Sequence, residues 1–220
     1  MFTIRLPRSL AEFTQGVNLL SMIFQDRFQA FPRELPHQFF LAFDSENGNR
    51  VVGTINLQIV KDSEEFEVER FFSCNIQDLC GVEKSKIAEI GRLTSNNDLV
   101  TPSLFCAVGK FMQRFGIETF VSFNKKSIGR VLKTVYKLPL TIQEIPMKEK
   151  NIPAEYRSYF FDQHNPVVVL RSQMGAVEEW VNKRMMAQFG IIEIVVPERV
   201  DELDQIINEY NHRRKSDSGK

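Results

Sequence analysis

Two charged residues that could act on a substrate lie three positions apart in a predicted strand, 86–95. They are Glu89 and Arg92. Burial raises the pKa of a carboxyl group, and a Glu whose pKa is near neutrality suits a general base that deprotonates an attacking amine. The guanidinium of Arg92 suits a substrate carboxylate or phosphate, which it would bind through two parallel hydrogen bonds.

A structural explanation of the same two residues stays open. Residues an odd number of positions apart on a strand point to opposite faces of the sheet. Arg92 would then form a salt bridge on the face opposite Glu89. Alternatively, Glu89 would form an ordinary ion pair with Arg92 or with a lysine.

A basic stripe follows one face of the predicted helix that begins at Asn124. Its members are spaced by four, three and four residues: Lys126, Arg130, Lys133 and Lys137. Residues at this spacing share one helix face. Because the chain has 28 basic and 28 acidic residues, the stripe is a local positive patch. It suits the phosphate of a phosphopantetheine arm or an acidic carrier protein; the alternative is a solvated helix face.

Phenylalanine is frequent, with 19 copies. Five of these rings flank the candidate site in the sequence: Phe66, Phe71, Phe72, Phe105 and Phe111. They could line a tunnel for an acyl chain. Each buried methylene contributes about 0.8 kcal/mol, so a long chain would bind such a tunnel far better than acetyl. The alternative is that these rings fill the core.

The composition argues against several classes of protein. Equal numbers of basic and acidic residues argue against a dedicated nucleic-acid binder. The three cysteines lack paired spacing and predict buried thiols of a reducing compartment. The three histidines lack metal-ligand spacing, which predicts no metal site. Without a signal-peptide pattern or a run long enough to span a bilayer, we expect a cytoplasmic protein with no stable membrane insertion.

The apolar periodicity predicts an α/β (α+β) chain. The predicted elements are, in order, a strand 2–6, a helix 10–31, a hairpin 37–60 around Asn47-Gly48, a helical stretch 64–79, a strand 86–95, a helix from Pro102 to Gly116, a strand 119–123, a helix 124–135, and strands 139–145 and 166–170. We predict a main domain 1–171, a helix–strand–helix extension 172–214 and a disordered tail 215–220.

This order of elements resembles that of the GCN5-related N-acetyltransferase (GNAT) superfamily. Segment 87–94, Ile-Ala-Glu-Ile-Gly-Arg-Leu-Thr, resembles the Glu-x-Ser-Arg-Phe/Leu block of acyl-homoserine-lactone (autoinducer) synthases and the Glu-Val-Gly-Asn-Leu-Ala block of thermostable-haemolysin-like proteins. Segment 68–72, Val-Glu-Arg-Phe-Phe, is similar to the Leu-Glu-x-Tyr-Leu segment of the haemolysin-like proteins, and 156–160, Tyr-Arg-Ser-Tyr-Phe, to their Trp-Gly-x-Tyr-Tyr stretch. The resemblance covers roughly residues 9–171 and extends to N-acyl amino acid synthases.

The resemblance implies a GNAT-like acyl-CoA N-acyltransferase fold, with a mixed, mostly antiparallel sheet flanked by helices. It implies acyl transfer from acyl-CoA or acyl-carrier protein phosphopantetheine to the amine of an amino acid or a similar small molecule. Glu89 would be the general base, Tyr136 would protonate the leaving thiolate and Asn124 would bind the donor. The alternatives are an ordinary amphipathic tyrosine, a helix N-cap at Asn124, and, for the whole protein, a catalytically degenerate binding module.

Three departures from the family patterns modify this expectation. The acidic Asp-x-x-Asp pair of the lactone synthases is replaced by Phe-Pro-Arg-Glu at 31–34, and their Arg-Leu-x-Pro by Asn-Leu-Gln-Ile at 56–59. Both changes argue against lactone synthesis from S-adenosylmethionine, which stays a second alternative. The glycine-rich loop that binds the pyrophosphate of coenzyme A is replaced by residues 96–102, Asn-Asn-Asp-Leu-Val-Thr-Pro. A carrier-bound acyl donor therefore fits better than acetyl-CoA.

Overall fold

The computed structural model describes residues 1–28, 38–60, 64–95, 97–187, 191–199 and 201–217. The strands are β1 (Phe2–Arg5), β2 (Gln38–Asp44), β3 (Arg50–Gln58), β4 (Ile87–Ser95), β5 (Thr119–Lys125), β6 (Thr141–Gln143), β7 (Val167–Gln173) and β8 (Ile192–Ile194). The helices are α1 (Leu10–Phe28), α2 (Glu67–Phe71), α3 (Ile76–Cys80), α4 (Val100–Arg114), α5 (Lys126–Thr134), α6 (Arg157–Phe160), α7 (Met174–Ala187) and α8 (Asp204–Asp217).

The described strands form one eight-stranded sheet in the order β6-β7-β5-β4-β3-β2-β1-β8. Neighbouring strands are antiparallel except for the pairs β4–β5 and β1–β8. The predicted mixed, mostly antiparallel sheet flanked by helices is confirmed. The hairpin β2–β3 turns through residues 45–49, of which Gly48 and Asn49 have φ angles of 67° and 56° in the left-handed region.

Two hydrophobic cores cover the two faces of the sheet. The first core contains apolar residues of α1, α4, α5 and α7, and the second contains those of α2, α3 and α6. Strand β5 alternates between them, because Phe120 belongs to the first core and Val121 to the second. Strand β7 alternates in the same way, with Leu170 in the first core and Val169 in the second. Successive side chains of these two strands therefore face the two cores in turn.

Some predicted elements differ from the structure. The helical stretch 64–79 is two short helices, α2 and α3, and the strand 139–145 is shortened to β6. Asn124 does not begin a helix, because pairing of β5 with β7 continues as far as Lys125 opposite Val167. The N-cap interpretation of Asn124 is therefore wrong, and Lys125 occupies the N-cap position of α5. The proline-rich end of the first helix lies outside the described residues.

The C-terminal helix–strand–helix segment packs on the rest of the chain. Strand β8 pairs in parallel with β1 at the edge of the same sheet. Helix α7 contributes Val177 and Val181 to the first core, and the ring centroids of Phe13 and Tyr210, on α1 and α8, are 5.2 Å apart. Helix α8 runs to Asp217, three residues into the segment 215–220 predicted to be disordered; the remainder lies outside the described residues. Within the described chain, every helix is too short or too polar to cross a membrane.

Candidate active site

A cavity of about 260 Å³ opens where β4 and β5 separate. The two strands pair only over Ile87–Glu89 and Thr119–Val121. Beyond this point β5 continues to pair with β7, while six consecutive residues of β4, 90–95, border the cavity. The opposite wall includes residues 122–124 of β5. The edge of β4 therefore faces a cavity in place of its neighbouring strand.

Glu89 lies in the wall of this cavity and is only 4% exposed. Its Oε2 accepts a hydrogen bond from the backbone N–H of Glu67 at 2.7 Å, and its Oε1 accepts one from Val68 at 3.1 Å. Burial, reinforced by the negative charge of Glu67, raises the pKa of Glu89 well above its ordinary range. The two backbone hydrogen bonds and the positive charge of Arg92 act in the opposite direction. The net result is a carboxyl group that keeps its proton to higher pH than an ordinary glutamate.

A β-bulge brings Arg92 to the same cavity as Glu89. Thr54 and Asn56 of β3 pair with Thr94 and Gly91, so β4 has one extra residue in this interval. Arg92 lies at the bulge with a φ of 50°, and its Nη2 donates a hydrogen bond to Oε1 of Glu67 at 2.9 Å. The expectation that Arg92 points to the face opposite Glu89 is wrong, because it assumed regular strand alternation.

The cavity reaches the hydrophobic cores of both faces. Its lining from the first core is largely aliphatic and phenylalanine, and includes Phe105, Phe120, Leu132, Leu140 and Leu170. Its lining from the second core is aromatic, and includes Phe71, Phe123, Tyr156, Tyr159 and Phe160. The polar residues of the lining include Glu89, Glu67 and Arg92. The site thus combines a small ionic group with a much larger apolar surface.

Of the five phenylalanines expected to line an acyl tunnel, Phe71 and Phe105 border the cavity. The expectation is wrong for Phe66, Phe72 and Phe111, which lie outside the cavity lining. Phe66 and Phe72 are fully buried in the second core, and Phe111 packs in the first core against Phe40, with ring centroids 5.8 Å apart.

Tyr136 and Asn124 both border the cavity, each with a partner that the sequence did not indicate. The Tyr136 hydroxyl donates to Oδ1 of Asp98 at 3.4 Å, and burial is the main cause that raises its pKa. The Tyr136 carbonyl accepts hydrogen bonds from α7, namely from Trp180 and Arg184. The Asn124 side chain accepts a hydrogen bond from the hydroxyl of Tyr159 at 3.1 Å.

The basic stripe of α5 lies beside the cavity but does not line it. Arg130 and Lys133 are exposed, and Lys126 forms an ion pair with Glu144 at 2.5 Å. Lys137 is exposed but follows the end of α5 at Thr134 and has a φ of 57°, so the prediction that all four residues share one helix face is wrong for Lys137. Apolar residues of the same helix border the cavity instead: Ile128, Val131 and Leu132. Helix α5 therefore presents an apolar side to the cavity and basic side chains to solvent.

Comparisons with known proteins rest on structure alone. No protein-family model matches the sequence, and no curated protein shows significant sequence similarity to it. The coenzyme-A-dependent acyl-homoserine lactone synthase BjaI, solved with SAM and isopentyl-CoA, is similar at a TM-score of 0.54 and 16% identity, over 94% of this chain and 99% of that chain. A Lactobacillus plantarum protein with a proposed N-acetyltransferase activity is similar at 0.52 and 12% identity, over 79% and 98%. The chain has the acetyltransferase-like fold.

Within this acetyltransferase-like fold, sequence patterns missed Glu67 and Asn56. Glu67 hydrogen-bonds Glu89 and pairs with Arg92, 22 and 25 positions further along the chain. Asn56 borders the cavity from the neighbouring strand β3. No sequence signal singles out Asn56, because it is one of the alternating polar residues, Thr54, Asn56 and Gln58, of an ordinary strand. None marks Glu67 either, since its partners are distant in sequence.

The raised pKa of Glu89 predicts a pH-dependent effect of the Glu89→Gln substitution on stability. The stability associated with this carboxyl group is fully present below its usual pKa near 4.5 and is lost as pH rises through the raised folded-state pKa. Between these two pKa values, the free energy of unfolding of the wild type falls by up to about 1.4 kcal/mol per pH unit, whereas Gln does not titrate. Urea unfolding between pH 4.5 and 8 should show that the free energy of unfolding of the variant rises relative to that of the wild type as pH rises. A constant difference across this range would contradict the assignment.

Proposed function

We propose that this protein is an N-acyltransferase that moves an acyl group, preferably a long-chain one, from acyl-carrier protein or acyl-CoA to the amine of an amino acid or a similar small molecule. The observation that carries the proposal is Glu89, a buried carboxyl group with a raised pKa in the wall of a mainly apolar cavity. The acetyltransferase-like fold supports it.

The proposed chemistry needs no covalent enzyme intermediate. Glu89 accepts a proton from the amine as its nitrogen attacks the thioester carbonyl carbon. The C–N bond forms, the C–S bond breaks, and the leaving thiolate takes up a proton to become the free thiol. The edge of β4 borders the cavity where its pairing with β5 has ended, so its backbone N–H groups are candidates to stabilise the developing oxyanion. Tyr136 is the candidate proton donor to sulfur, once its hydroxyl turns from Asp98.

The apolar part of the cavity is the proposed acyl site. Four elements, α4, β5, α5 and β7, each contribute an apolar side chain to it: Phe105, Phe120, Leu132 and Leu170. Each methylene of an acyl chain that moves from water to this surface makes the binding free energy more favourable. Such a site favours a long chain over acetyl.

The donor's phosphate group is proposed to contact the basic stripe of α5. Helix α5 borders the cavity. Its basic residues Arg130 and Lys133 are exposed, and Lys126 is half-buried. Residues 96–102 contain no glycine, which argues against the usual pyrophosphate loop and favours a carrier protein over free acyl-CoA as the donor. Asn124 would meet the phosphopantetheine arm at the cavity wall.

Thiol release from acyl donors tests the function. Acyl-carrier protein and coenzyme A, each loaded with chains of two to sixteen carbons, are incubated with the protein and a mixture of amino acids. We expect acceptor-dependent release whose kcat/KM rises by about fourfold for each added methylene until the cavity is filled, which corresponds to about 0.8 kcal/mol each. Equal rates for all chain lengths would contradict the proposed acyl site.

A second candidate is a non-catalytic module of the same fold that binds a ligand or a protein. The absence of glycine from residues 96–102 is the observation that favours it. No thiol release with any donor would establish this candidate over the enzyme. A lactone synthase has less support; the position of its acidic pair, 31–34, holds only Glu34 and lies outside the described residues.

A further inference from the structure

The amide group of Asn56 is a buried polar group without a partner for its oxygen. Asn56 is 2% exposed and borders the cavity. Its Oδ1 accepts no hydrogen bond from any residue in the described part of the chain. Buried side-chain oxygens are normally hydrogen-bonded, so each exception calls for a ligand, a water or an ion. Asn56 therefore points to a molecule that brings an N–H or O–H group into this end of the cavity.

Arg92 also borders the cavity and carries a second unsatisfied group. Its side chain is 10% exposed, and its Nη2 is held by Glu67. Its Nε–H donates to no acceptor within the described residues. The bulge and the ion pair hold the guanidinium in place with this donor unpaired. The wall of the cavity thus contains one unpaired acceptor and one unpaired donor.

Gly91 leaves open space next to these two residues. It lies directly opposite Asn56 in the β3–β4 pair, so the two positions share one face of the sheet. This is the face of Glu89, because the neighbours of Asn56 on its strand, Ile55 and Leu57, belong to the core of the other face. A Cβ atom at position 91 would meet no atom within 4 Å. Open space therefore adjoins Asn56, Arg92 and Glu89.

We propose that Asn56, Gly91 and Arg92 form the subsite for the polar head of the acyl acceptor, and that this head is an amine next to an anionic oxygen, as in an α-amino acid. The amine donates to Oδ1 of Asn56 and faces Glu89, and the carboxylate accepts from Nε of Arg92. The role as acceptor subsite rests on the proposed function; binding itself does not.

The charges of the site distinguish this ligand from simpler ones. Glu67 already neutralises Arg92, and Glu89 adds a further acidic group. A phosphate with two negative charges would find no uncompensated positive charge at Arg92, because Glu67 already pairs with it. A simple amine without an anionic oxygen would leave Nε of Arg92 unsatisfied. A zwitterion satisfies both Asn56 and Arg92 without adding net charge.

Binding measurements test the subsite without any acyl donor. The twenty standard amino acids are titrated individually into the wild type by isothermal titration calorimetry. For those that bind, the methyl ester and the acid without its amine are titrated in turn. We expect at least one amino acid to bind, and a loss of tenfold or more in affinity when either group is removed.

Two substitutions locate the binding site. Asn56→Leu removes the unsatisfied amide at similar volume, and Gly91→Val fills the open space on a strand that tolerates a β-branched residue. Each should weaken amino-acid binding by at least tenfold without lowering Tm. Gly175→Ala is the matched control, because its added Cβ also meets no atom within 4 Å but it lies on α7, outside the cavity lining.

The outcomes separate this inference from the proposed function. If no amino acid binds the wild type, or if Asn56→Leu and Gly91→Val bind as the wild type does, the subsite is overturned even where thiol release is found with another amine. Amino-acid binding that both variants weaken, in a protein that releases no thiol, would uphold the subsite and overturn the enzyme.

Discussion

Replacement of Glu89 by Gln should lower kcat/KM for amine acylation by about 10²–10⁴-fold, the usual contribution of a general base. Gln is close in size to glutamate, and its single amide oxygen can keep one of the two backbone hydrogen bonds from the first turn of α2, while its NH2 group cannot accept the other. Gln cannot accept a proton from the attacking amine. Acceptor-dependent thiol release with the best acyl donor is the measurement.

The control for this prediction is Glu83→Gln. Glu83 is an exposed glutamate six residues before Glu89, and it lies outside the cavity lining. Its substitution removes one acidic group and should leave the rate unchanged.

Because only the deprotonated carboxylate is a base, wild-type kcat/KM should also rise with pH through the raised pKa of Glu89. A Glu89→Gln variant with wild-type kcat/KM would refute the assignment of Glu89.

Gly109→Val should lower the free energy of unfolding by about 1–3 kcal/mol, the usual cost of overpacking a core. Gly109 lies in α4 where α7 packs against it. A Cβ atom there would lie 2.6 Å from Cγ2 of Val181 and 3.3 Å from Cγ1 of Val177. Both neighbours are β-branched and have one strongly preferred rotamer in a helix, so they cannot turn aside cheaply. Urea unfolding monitored by circular dichroism is the measurement.

The matched control is again Gly175→Ala, a helical glycine with open space around it. Alanine should stabilise that position by roughly 0.5–1 kcal/mol, because it restricts the unfolded chain and favours helix. If Gly109→Val were as stable as the wild type, α7 would not pack on α4 as described. Since Trp180 and Arg184 of α7 hold the carbonyl of Tyr136, a displaced α7 should also lower kcat in the acylation assay.

Local patterns in the sequence determined most of the individual elements. The Asn47-Gly48 turn defined the hairpin, apolar periodicity defined α1, α4 and α7, and the order of elements indicated the acetyltransferase-like fold. Glu89 was selected because it lies in a predicted strand, in a segment that resembles the Glu-containing block of the lactone synthases, and its role stays a prediction. The elements could be predicted because turn chemistry and hydrophobic period act between residues close together in the chain.

The tertiary structure alone decided which residues meet at the cavity. One extra residue in β4 reversed the side to which Arg92 points, and no local pattern marks that bulge. Glu67 reaches Glu89 and Arg92 from a separate helix, and of the five candidate phenylalanines only Phe71 and Phe105 border the cavity.

The edges of the sheet were likewise outside the reach of local patterns. Strand β8 joins β1 across about 190 positions of sequence, and pairing with β7 kept Asn124 in a strand where its residue type favoured a helix cap. The physical reason is common to all these cases. Hydrophobic period fixes which face of an element is apolar, but strand register, bulges and contacts between distant segments depend on the packing of the whole chain.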